Sequence, residues 1–148
     1  MIKSDSFKLV GSLTAELYKA DGSYEVVHKH NAILNVGFDF IANAIGSTSA
    51  RPSVMNIIAV GTGTTSPNAT DTKLATQLAY KTATFAHTSS TKVFSFTATF
   101  NPGEATGGIT EAGVFNGNAG TMLDRVVFAV INKGSEDTLK VTFTFTMA

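Results

Sequence analysis

Between Lys8 and Tyr18 the chain alternates with a period of two. Leu9, Gly11, Leu13, Ala15 and Leu17 share one side, with Lys8, Ser12, Thr14 and Glu16 on the other. That period predicts a half-buried strand. Asp21-Gly22 then marks a two-residue hairpin turn, because both central positions of such a turn favour φ > 0, and Tyr24 to His30 is the return strand. After Val36 the period changes. Phe38, Ile41, Ala42 and Ile45 recur at i, i+3, i+4 and i+7, one stripe of a helix over about residues 36–45. Asn35 is placed to cap its start and Gly46 to end it. The stripe predicts a short helix covering one end or face of a sheet.

The rest reads as strands and turns. Asn56 to Val60 is a short apolar strand, and Gly61 to Thr70 a long turn-rich loop. Asp71 to Leu78 has the composition of one or two helical turns. Ala79 to His87 and Thr91 to Asn101 form a strand pair around the polar tip Thr88-Ser89-Ser90. In the second, Phe94, Phe96, Ala98 and Phe100 lie opposite Ser95, Thr97 and Thr99. Ile109 to Asn116 is a further strand. Thr121 to Asn132 is apolar on both sides between Val126 and Ile131, the signature of a central strand or of one buried in a subunit contact. Val126, Phe128 and Val130, or their neighbours of opposite parity, are the candidate sheet–sheet or subunit contact. The chain closes with Leu139, Val141, Phe143, Phe145 and Met147 alternating with threonines and Lys140. Phe94, Phe96, Phe100, Phe143 and Phe145 are the candidate core. About eight strands and one helix predict a mainly β fold, an antiparallel β-sandwich or jelly-roll-like double sheet, in one domain over residues 1–148. The hairpin and helix of residues 1–46 could pack as a subdomain.

Composition agrees. Thr fills about one position in seven, and Phe outnumbers Tyr 11 to 3 with no Trp. Thr and Phe suit a pleated, half-buried surface. Only 15% of residues are charged and the formal net charge is zero, which argues against nucleic acid as the main partner. No cysteine is present, so disulfides, thiolate metal sites and cysteine catalysis are excluded. The opening residues lack the apolar core of a signal peptide, and the longest apolar run is far short of the roughly 20 residues that cross a bilayer. A soluble protein made in the cytoplasm, without a membrane partner, is expected.

Candidate chemistry is sparse. His28 and His30 lie two apart on a strand and point the same way, a spacing that suits two metal ligands, but His87 is remote and no acidic pattern adjoins them. They are read as exposed hairpin residues that would make assembly pH-sensitive if they lay at a subunit contact. Gly61-Thr62-Gly63-Thr64-Thr65 resembles a phosphate cradle, yet no Lys and no long helix follow it, so it is read as a turn. Glu104, Glu111 and Asp124 flank Gly-rich turns, where carboxylates are usually solvated; Glu111 is placed to pair with Arg125 or Lys133. The Thr side of the last strand is read as ordinary exposed strand, since one strand is not an array. No catalytic, cofactor or metal residue is assigned. Asn101, Glu104, Asn116 and Asn118 mark the loops open to a ligand or partner.

Several ordered motifs nevertheless form a pattern: Ile58-Ala-Val-Gly-Thr-Gly-Thr-Thr65 with Pro67 and Ala69-Thr-Asp-Thr72, then Phe96-Thr-Ala-Thr-Phe100 with Pro102-Gly-Glu104. Ile109-Thr-Glu-Ala-Gly-Val-Phe-Asn116, Thr121-Met-Leu-Asp-Arg125, Ile131-Asn-Lys-Gly134 and Asp137-Thr-Leu139 complete it. With these motifs the chain resembles a family of small structural proteins of tailed bacteriophage virions, often described as tail-fibre or virion proteins. The resemblance implies a non-enzymatic virion component without cofactors. Its partners would be copies of itself and other virion proteins of the capsid or tail. A single domain without heptads fits a capsid decoration protein; the alternatives are a tail, collar, baseplate or fibre component, and a module binding a host surface glycan.

Overall fold

A computed structural model describes residues 7–148; the reading of the opening segment as lacking a leader falls largely on residues 1–6, outside them. Nine strands and one helix follow in the order β1 (Leu9–Tyr18), β2 (Tyr24–Ile33), α1 (Asn35–Gly46), β3 (Ile57–Gly61), β4 (Gln77–Thr82), β5 (Thr84–His87), β6 (Val93–Phe100), β7 (Gly107–Phe115), β8 (Met122–Lys133) and β9 (Thr138–Met147). All pairings are antiparallel, in the order β4-β3-β7-β8-β2-β1-β9-β6-β5. The fold is therefore mainly β, as the periodicity implied. It is one sheet folded over on itself into a sandwich, joined where Ala32 and Ile33 of β2 pair with Arg125 and Asp124 of β8.

The first hairpin is no separate unit. Ten residues of β1 pair with β9, so residues 9–33 lie in the middle of the sheet. Between the two layers lies the main core, which holds Leu13, Leu17, Ile58, Val60, Phe96, Phe100, Ile109, Val114, Val141, Phe143 and Phe145. Four of the five candidate core phenylalanines are buried. Phe94 is only partly buried at the sandwich edge, stacked on Phe145 with ring centroids 5.2 Å apart.

Some elements differ from expectation. Ala79 to His87 is two strands. The chain leaves the β3–β4 layer at Ala83, whose N–H donates to the Asn56 carbonyl at 2.8 Å, and enters the other layer as β5. Residues 71–76 carry no helix, and Leu74 is tucked into a second apolar cluster with Leu34, Ile57, Ala59, Phe115 and Met122. In α1 the buried side is not the Phe38–Ile45 stripe. Gly37 makes the closest approach: a Cβ there would strike the Leu123 carbonyl, so only glycine lets the helix meet β8. Asn35 is the first helical residue and Leu34 the N-cap, without a side-chain cap bond.

In β8, Val126 and Phe128 face the core, whereas Val130 is 51% exposed. The register explains it. Ile109 pairs with Ile131 and Glu111 with Val127, so β8 carries extra residues opposite β7. This bulge shifts the phase: Val130 turns out and Ile131 takes the inward place. The three residues expected to share one face are split.

Candidate functional site

The strongest charge constellation lies on the outer side of β7 and β8, under the loop between β3 and β4. Glu111 sits fully buried in β7, opposite Gly61 of β3. Its Oε1 accepts from the N–H of Gly63 at 3.0 Å and of Thr76 at 2.7 Å. Its Oε2 accepts from the N–H of Ala75 at 3.0 Å and from Nε of Arg125 at 2.9 Å, with Nη2 of the same guanidinium 2.9 Å away as its ion-pair partner. Arg125, also buried, donates from Nη1 to Asp71 at 3.0 Å and from Nη2 to the Thr65 carbonyl at 2.9 Å. The Thr110 hydroxyl donates to the Gly63 carbonyl at 2.8 Å. Both ends and the middle of a 15-residue excursion, residues 62–76, are thus tied to two adjacent strands.

The glycines of the motif belong to this arrangement. A Cβ on Gly61 would lie 2.6 Å from Glu111 Oε1, and one on Gly63 2.5 Å from the same atom. The loop that resembled a phosphate cradle does cradle an anion, and the anion is the protein's own carboxylate. Burial alone would push the Glu111 carboxyl up. The N–H groups of Thr76 and Ala75, the Arg125 guanidinium and the Gly63 N–H outweigh it and hold the group below the ordinary carboxylate range.

Asp124 is the opposite case. Its neighbours in register, Val114 and Ile33, belong to the main core, so it faces inward. Among the described residues neither carboxyl oxygen has a partner in hydrogen-bond geometry; burial raises its pKa well above 3.8, and the nearby Val114 N–H opposes that rise without cancelling it. Lys133, equally hidden, donates from Nζ to the Asn101 carbonyl at 3.1 Å; burial lowers its pKa, with Asp137 and Glu104 opposing the shift.

The candidate loop residues hold their own turns together. Glu104 accepts from Lys81 Nζ at 2.6 Å and from the Asn101 N–H at 2.7 Å. Asn116 accepts from the Thr121 N–H at 2.6 Å and donates to the Ser53 carbonyl at 3.3 Å, while Asn118 meets Gln77 at 3.5 Å. Glu104 and Glu111 thus belong to two separate networks. His28 Nδ1 lies 3.0 Å from the Thr14 hydroxyl; among the described residues no group of three or more His, Asp or Glu could hold a metal ion.

The outer face of the β5-β6-β9-β1-β2 layer carries what periodicity in one strand could not reveal. Register lines up His28, Thr14, Thr142, Thr97 and Thr84 in one row, and His30, Ser12, Thr144, Ser95 and Ala86 in the next. The threonines form an array across four strands, about 4.8 Å apart. At one end of this face Tyr18 and Tyr24 pack with ring centroids 5.1 Å apart, and both hydroxyls reach Glu16, at 3.3 and 3.4 Å.

Comparison with protein-family models, curated proteins and solved structures finds no match to the chain. No described helix is long and apolar enough to cross a membrane.

Proposed function

We propose that the protein is a non-enzymatic structural component of a tailed-phage particle, acting as a decoration subunit that stabilises the head. One observation carries the reading beyond the motif resemblance. The most concentrated charges in the fold are fully engaged in holding a loop rigid. Glu111 accepts four hydrogen bonds, three from backbone N–H groups and one from Arg125 Nε, which occupy the lone pairs that acid–base work would need. A chain selected to stay rigid in an assembly needs such a lock, and a chain without cysteine holds its shape whatever the redox state.

The test is gold-labelled antibody imaging of particles that carry the chain. Label over the heads is the expected result. Label confined to the tail would replace decoration by a role in tail assembly or attachment, and unlabelled particles would overturn the virion reading.

A second reading, a module that docks host glycan, is favoured by the outer face of the five-strand layer. Its hydroxyl rows, the Tyr18–Tyr24 pair and the Glu16 carboxylate supply the stacking and hydrogen-bonding groups that sugars use. Glycan-array binding that is lost in Tyr24→Ala would support it, and a blank array would remove it.

A further inference from the structure

We propose that the open mouth of the sandwich, between α1 and the β5 edge, is the surface through which two copies of this chain associate about a two-fold axis. The proposal rests on the reading of the protein as an assembling subunit and says where the self-contact lies.

The mouth is a groove of about 370 Å³. Phe40, Ile41 and Ala44 of α1 form one wall, Phe94 and Phe96 of β6 the other, and Leu123 lies between them. Every described residue that lines it is apolar. On its rim Val54 is 74% exposed and Phe85 57%, and Ile45, one turn along α1 from Ile41, protrudes at 83%. One patch therefore holds both a hole and the knobs to fill it. A two-fold contact needs that, because the same patch must serve both partners.

Charge points the same way. A two-fold axis sets residues near it against their own copies, and like charges in such a place repel. The groove has no charge to repel. The β5 edge is equally unguarded: Thr84-Phe85-Ala86-His87 carries none of the Lys, Glu or Pro residues that usually blunt an exposed edge. Phe85 faces the core side, opposite Phe96. An antiparallel β5 from a second copy would set the partner's Phe85 beside it and cover the mouth from both sides.

Size distinguishes a second copy from a small ligand. The exposed parts of Ile45, Val54 and Phe85 come to on the order of 400 Å² per copy, and the β5 backbone adds to this, which reaches towards the lower end of specific interfaces. A small amphiphile would fill the groove and leave Ile45 and the β5 backbone edge uncovered.

Sedimentation equilibrium of the full chain tests this, together with Val54→Asp, Ile45→Asp and, on the outer sheet face, Thr146→Lys. The wild-type chain should dimerise. Each Asp substitution should raise the dissociation constant at least about 30-fold by burying an unpaired carboxylate. Far-UV circular dichroism should stay unchanged, since both positions are exposed in the monomer, and Thr146→Lys should dimerise like wild type. A chain still monomeric at roughly 100-fold above micromolar concentration overturns the proposal. So does a dimer that survives both Asp substitutions, or a monomer that takes up one decanoate per chain. Dimers from a protein not found on particles would leave this contact standing and remove the virion role. Labelled particles built from a monomeric chain would do the reverse.

Discussion

Two carboxylates lie buried on opposite faces of the same pair of strands. Glu111 looks outward under a loop and is saturated by donors, whereas Asp124 looks inward among Val114 and Ile33 and has no described partner. Both are fully hidden from solvent. What separates them is the supply of donors, which reverses the direction of the pKa shift. Burial alone therefore says little about what an acidic residue does; the backbone N–H groups aimed at it decide whether it holds the fold together or strains it.

The largest test of that contrast is Glu111→Ala. It orphans three N–H groups and leaves Arg125 buried with only Asp71 and a carbonyl, so urea unfolding should show a loss of about 3–5 kcal/mol. Gly63→Ala attacks the same lock by crowding the carboxylate, and should cost about 1–3 kcal/mol in the same assay. Asp124→Asn should act with the opposite sign, raising the urea midpoint at neutral pH, because the amide need not be held neutral. A lower midpoint instead would show that the Val114 N–H holds the carboxylate more strongly than burial disfavours it.

The pH dependence sharpens the comparison. The folded pKa of Asp124 is raised, so above its ordinary 3.8 the unfolded chain ionises first and this group erodes stability as pH rises towards neutrality. The folded pKa of Glu111 is lowered from 4.5, so its contribution is present above that value and is lost as pH falls below it. Asp124→Asn should flatten the neutral limb of the stability profile, and Glu111→Gln the acid limb. The smallest effect belongs to Glu104→Gln, whose pair with Lys81 is partly exposed and screened by water; its urea midpoint should match the wild type within error.

The sheet was largely legible in the sequence, and the reasons are local. Leu9–Leu17 and Leu139–Met147 alternate cleanly because each has one face in the core and one in water. The switch of layers at Ala83 was not legible, since Thr82-Ala83-Thr84-Phe85 keeps a period of two across it. The helix was found, but its buried face was misread: Gly37 makes the closest contact and contributes nothing to a hydrophobic stripe. The pairing of Glu111 was narrowed to Arg125 or Lys133. Its other donors are main-chain N–H groups, which no composition records, and Asp71 reaches Arg125 only through the fold of the loop. The shift of Val130 to the surface needed the bulge in β8. The threonine rows needed the order in which distant strands come to lie side by side.

That order also bears on how the chain comes to its fold. β9 lies between β1 and β6, so it pairs with one strand from the start of the chain and one from its middle. Until residues 138–147 have been synthesised, β1 and β6 each keep an open edge and Leu13, Leu17, Phe96 and Phe100 lack part of their cover. During translation the first hairpin must therefore wait for the last strand. Closure of such distant pairs is slow, and the waiting chain is at its most prone to mispair with its neighbours on the same message.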